Sequence, residues 1–136
     1  MSHIGIKNEC FFPLSEIRIP KSQITRTPES LNSSVTISIL LTTVSKKPDA
    51  VRLARAALNA KAAACIQILP PMESHYVWKG KREKAREFLV LGKTSTRKAS
   101  TLEKLWSRLH PYDCPELVTL SGRASASYAH WIRAST

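Results

Sequence analysis

SVTISILLTT, residues 34 to 43, sets Val35, Ile37, Ile39 and Leu41 against Ser34, Thr36 and Ser38. A period of two in β-branched residues predicts a strand, because successive side chains of an extended backbone point to opposite faces. The next segment, PDAVRLARAALNAK (48–61), changes period. Val51, Ala54 and Leu58, with Leu53 and Ala57, follow helical spacing, and Pro48 and Asp49 suit a helix start.

AACIQILPP (63–71) reads as a strand broken by Pro70 and Pro71, and SHYVWKGK (74–81) as its continuation. REFLVLGKT (86–94) is a further strand, and the charged run KGKREKA (79–85) is the expected turn of the hairpin that joins them. In TRKASTLEKLWSRLH (96–110), Leu102, Leu105, Trp106 and Leu109 recur at i, i+3, i+4 and i+7, a second amphipathic helix. PELVTL (115–120) gives a last short strand, and YAHWIRAS (128–135) a terminal helix.

The order β-α-β-β-α-β predicts an α+β, ferredoxin-like domain with both crossover helices on one face of the sheet. FLVL (88–91) is apolar at four successive positions, and Cys65, Ile66, Ile68 and Leu69 likewise supply both faces. A sheet with one wet side does not tolerate that pattern, so the second face needs a cover, and another copy of the chain is the simplest one.

The chain has 136 residues, enough for one domain with a core. Residues 1–33 lack sustained periodicity and end in the polar run TPESLNSS, so they are expected to be a poorly ordered extension joined to a domain over 34–136. The formal charge is +11, which favours anionic partners. KGKREKA has no interleaved aromatic residues for base stacking, so nucleic-acid binding is expected to be weak or absent. Cys10, Cys65 and Cys114 form no CxxC pair, which points to a reducing compartment, the cytoplasm first and an organelle as the alternative. No segment reaches the ~18 apolar residues needed to span a bilayer, so a soluble protein without a membrane partner is expected.

RLHPYDCPELV (108–118) gathers His110, Tyr112, Asp113, Cys114 and Glu116 between two prolines. Such residues can form a metal site, a catalytic site or a rigid corner. Pro111 biases His110 away from helical angles, which ends the second helix there. A nucleophilic Cys114 would need a base within hydrogen-bond reach, and the spacing does not supply one, so no enzyme is expected.

The ordered motifs Thr42-Thr43, AAACIQILP (62–70), SHYVWKGK, Lys93-Thr94, HPYDCPEL (110–117) and YAHWI (128–132) resemble those of the CutA family, the divalent-cation tolerance proteins. The resemblance spans about residues 35 to 133. It implies a ferredoxin-like protomer, a homotrimer related to PII-like signalling proteins, and copper or another divalent metal as the ligand. Where family members place a cysteine at the end of the first strand and two adjacent histidines before Pro-Tyr, this sequence has Leu41, Leu109 and His110. His110 and Cys114 are therefore the candidate metal ligands, and Trp78, Lys93, Tyr112 and Glu116 the candidate lining of an intersubunit cleft. The five lysines and arginines between residues 79 and 86 favour a small anion instead, which would suit a PII-like signalling or interaction trimer. Cys65 is expected in the core, and Gly92 at a bulge or a close backbone approach at the interface.

Overall fold

The computed structural model describes residues 35–136. The extension expected over 1–33, with His3 and Cys10, lies outside the described residues, and so does Ser34.

The elements are β1 (Thr36–Val44), α1 (Lys47–Asn59), β2 (Cys65–Ile68), β3 (Met72–Trp78), β4 (Lys81–Ser95), α2 (Ala99–Leu109), β5 (Val118–Arg123) and α3 (Ala126–Ala134). The sheet runs β2-β4-β1-β5, with β3 also paired to β4, and every pairing is antiparallel. With β2 and β3 counted as one interrupted strand, this is the ferredoxin-like order expected from the sequence.

The helix-covered face takes alternate residues of each strand. Leu40 and Val44 of β1 and Val90 of β4 pack with Ala50, Leu53 and Ala57 of α1 and with Leu102 and Trp106 of α2. Trp106 is fully buried, and its indole N–H donates to the Leu53 carbonyl at 3.2 Å. Gly92 pairs with Leu40 in register and lies under this indole: a Cβ there would stand 2.9 Å from Trp106 Cη2. Its close approach is thus to a helix inside the protomer, not to an interface.

The regular apolar series of β1, Ile37, Ile39 and Leu41, lies on the other face. Register sets Leu91 and Val118 beside Leu41, and Lys93 and Leu120 beside Ile39. One end of this face is covered: Ile37 packs against Ala129 and Ile132 of α3, and the half-buried Ile39 packs against the same cluster. Val118 and Leu120 stay 40% and 48% exposed. Cys65 pairs with Lys93 on this same face and is half-buried, which corrects its expected place in the core.

The hairpin differs from its expected form. Lys79 (φ 48°) and Gly80 (φ 76°) alone make the turn, in the left-handed conformation that matches the twist of a two-residue hairpin. The rest of the charged run, Lys81 to Ala85, continues as β4 and pairs residue by residue with β3. Charge content argued for a turn, but cross-strand pairing to β3 decides.

Candidate functional site: the helix-to-strand corner and its groove

Pro111 forces His110 out of helical angles, and His110 caps α2 with extended geometry (φ −66°, ψ 138°). From that position its Nδ1 accepts the Tyr112 backbone N–H at 3.0 Å. A neutral ring that accepts at Nδ1 carries its proton on Nε2. Nε2–H accordingly donates to the Thr43 carbonyl at 3.1 Å, with the Thr42 hydroxyl oxygen at 3.0 Å. Both nitrogens are occupied inside the protein. Burial holds the imidazole pKa below its ordinary value; the Thr43 bond and the Asp49 and Glu87 carboxylates pull upward, but burial prevails.

This depression sets a pH dependence. The folded state binds fewer protons at His110 than the unfolded chain, whose value is 6.5. Its contribution to stability is present above that pH and is lost as pH falls toward the folded value. The thermal midpoint should therefore drop on acidification from pH 7 through pH 6, and the drop should shrink in His110→Asn. Equal pH slopes for the two proteins in calorimetric scans would contradict this assignment.

Tyr112 meets the imidazole edge-on at 5.0 Å between ring centroids, and its phenol donates to Glu87 at 2.9 Å. Glu87 is only 8% exposed. Burial first, and then the Glu87 carboxylate, push the phenol above its ordinary range, while Ser45 acts in the opposite direction. The phenol stays protonated and remains the donor.

Glu87 and Tyr112 line a groove of about 910 Å³ between the open sheet face, the β3–β4 hairpin and the Pro111–Glu116 loop. Leu41, Thr43 and Leu89 supply its sheet wall, and Trp78 stands at the hairpin end. Of the residues expected at the site, Trp78, Tyr112, Cys114 and Glu116 line the groove. His110 stands behind Tyr112 and does not line it. Lys93 is absent from the lining as well; it lies on the same sheet face past Leu91, with its ammonium 5.7 Å from the Tyr128 ring centroid.

Sequence reasoning missed Glu87 and Met72. The available signal for Glu87 was its place two residues before Leu89, which puts a carboxylate in line with the open apolar face.

The lining holds three carboxylates, Glu87, Asp113 and Glu116, together with the Cys114 thiol, the Met72 thioether and, at its hairpin edge, His75, and no lysine or arginine. Strand alternation explains the separation of charge. Met72, Ser74, Tyr76 and Trp78 pair with Glu87, Ala85, Glu83 and Lys81 on the groove side, so Arg82, Lys84 and Arg86 project from the opposite side of the hairpin. There Glu73 accepts from His75 at 2.7 Å and pairs with Lys84 at 3.6 Å. Of the basic run only Lys81 falls on the groove side, and it is not among the lining residues.

Among the described residues no three His, Cys, Asp or Glu side chains converge tightly enough to hold one ion. The groove donors fit part of a coordination shell: carboxylates suit hard cations, and thiol with thioether suits reduced copper. A closed shell would take further donors from a second copy. Both ring nitrogens of His110 are engaged, by the Thr43 carbonyl and the Tyr112 N–H. Among the described residues no helix is long and apolar enough to cross a membrane.

Comparison with known proteins agrees with this architecture. Residues 38–135 match the family model CutA1, described as the CutA1 divalent ion tolerance protein. The divalent-cation tolerance protein CutA of Thermus thermophilus is 34% identical over 99 residues, covering 72% of this chain and 96% of that protein. The chloroplastic protein CutA 1 of Oryza sativa subsp. japonica is 31% identical over 121 residues, covering 88% of this chain and 68% of the relative. The crystal structure of CutA1 from Oryza sativa superposes with a TM-score of 0.72 at 32% identity, over 76% of this chain and 96% of that one. With the family model spanning most of the chain and its elements in ferredoxin-like order, this protein belongs to the CutA1 divalent ion tolerance family.

Proposed function

We propose that the chain acts in divalent-cation tolerance as a homotrimer, taking copper or another divalent cation in its groove where copies meet. The observation that carries this reading is the charge of the groove. In a chain of formal charge +11, its lining holds three carboxylates, a thiol and a thioether without one lysine or arginine. Copper heads the affinity order among divalent ions, and its reduced form accepts sulfur at low coordination number. Assembly is supported by the open apolar face beside the groove, where Val118 and Leu120 are exposed in the single chain. We place the protein in the cytoplasm, and assign no bond-making step to it.

Calorimetric titration of copper into the wild type, Glu116→Gln and Cys114→Ser, with and without reductant, tests the cation reading. Binding should weaken about tenfold or more in Glu116→Gln, and Cys114→Ser should lose chiefly the reduced-copper component. The rival reading is a PII-like trimer that binds a small anion or a partner protein. It is favoured if inorganic phosphate or nucleotides raise the thermal midpoint while copper and zinc leave it unchanged.

A further inference from the structure

We propose that His110 is a positioning residue for the groove and not a ligand in it. It fixes the Tyr112 backbone, and through Tyr112 it orients the Glu87 carboxylate. The chain of bonds is continuous. Nε2–H of His110 is anchored on the Thr43 carbonyl of β1 at 3.1 Å, Nδ1 takes the Tyr112 N–H at 3.0 Å, and the Tyr112 phenol donates to Glu87 Oε1 at 2.9 Å. The imidazole thus ties the loop after α2 to the centre of the sheet.

The geometry states what His110 can and cannot do. A ring that accepts at Nδ1 and donates at Nε2 has no free lone pair for a cation. Tyr112 occupies Oε1 of Glu87, which lines the groove. A carboxylate held on one side by a protonated phenol offers its second oxygen in a fixed direction. Groups that orient a ligand in this way commonly change affinity by about 10- to 100-fold when removed. The metal-binding part of the inference rests on the cation reading above; the positioning part does not.

Asparagine separates the two roles. Its Oδ1 stands where Nδ1 does and can accept the Tyr112 N–H, but an amide oxygen is a poor substitute for imidazole at copper. The first measurement needs no metal. Nitrogen-15 spectra of the apo protein should show the Nε2–H tautomer of His110, and the Tyr112 amide should be protected from hydrogen exchange in wild type and His110→Asn but not in His110→Ala. An Nδ1–H tautomer, or an unprotected Tyr112 amide in the wild type, would overturn the positioning role.

The second measurement is copper affinity. His110→Ala and Tyr112→Phe should each bind at least about tenfold more weakly, and His110→Asn should stay within about threefold of wild type. Tyr112→Phe keeps the ring packing, so it reports on the Glu87 bond even if His110→Ala folds poorly. Loss of binding in His110→Asn equal to that in His110→Ala, with the Tyr112 amide still protected, would make His110 a ligand and defeat the proposal. If the wild type takes up no copper, the cation reading fails, and the apo spectra alone decide whether His110 positions Tyr112.

Discussion

Replacing Trp106 with alanine is expected to lower unfolding stability by about 3–5 kcal/mol, the largest loss for any single side chain of the core. The indole is fully buried between α1 and the sheet, donates to the Leu53 carbonyl, and covers Gly92, a position of β4 without a side chain. Its removal leaves a cavity that α1 and β4 cannot close without moving, because both are held by their own backbone bonds. Gly92→Val is expected to be destabilising for the complementary reason. The added Cβ would lie 2.9 Å from Trp106 Cη2, 3.0 Å from Leu102 Cδ2 and 3.2 Å from Ile66 Cδ1, and overpacking of that kind costs about 1–3 kcal/mol.

The two positions should couple. In the Trp106→Ala background the contact with the indole is gone and Leu102 and Ile66 gain space to yield, so the cost of the valine at position 92 should fall. Urea unfolding of the four proteins gives the interaction energy directly, provided the slope with denaturant stays constant. Strict additivity would show that Gly92 is not reserved for the indole.

Much of this arrangement could be read from the chain alone, and the reasons for the exceptions are physical. The β1 alternation, the four-residue apolar run FLVL and the spacing of Leu102, Leu105, Trp106 and Leu109 report local periodicity, which each element needs in order to bury one side. Which face of β1 meets the helices was not legible there. The helix side carries Thr42 and Ser38, both buried, because hydroxyls can be satisfied within the fold: Thr42 meets the His110 ring.

KREKA reads as a solvated turn because four successive charged residues carry no apolar period, yet β3 supplies it with pairing partners. The role of His110 was hidden for another reason. Residue type marks an imidazole as a metal ligand, whereas its use depends on a carbonyl 67 positions earlier in the chain. Glu87 acquires its meaning only when β4 pairing and the corner loop bring Tyr112 to it.

Leu120→Asp should convert the protein from a species of about three times 15.2 kDa in light scattering to one of 15.2 kDa, without loss of helical circular dichroism. The choice of residue separates folding from assembly. Leu120 is 48% exposed in the single chain, so a carboxylate there remains hydrated in the protomer and costs its fold little. It pairs with Ile39 on the face opposite α1 and α2, in line with Val118, Leu41 and Leu91, beyond the end of that face which α3 covers at Ile37 and Ile39. Covering that face with a second copy would bury the new charge without a partner. An unpaired buried carboxylate costs several kcal/mol, enough to reverse an association of micromolar strength. Trp78→Asp, at the exposed hairpin end, should weaken the same assembly. A Leu120→Asp protein that keeps its full mass would show that this face is not the one through which copies meet. A wild type that is itself monomeric at micromolar concentration would remove the reason for an apolar series at Ile39, Leu41, Leu91 and Leu120. The groove beside that face would then have to close its coordination shell within a single chain, and among the described residues the donors for that do not converge.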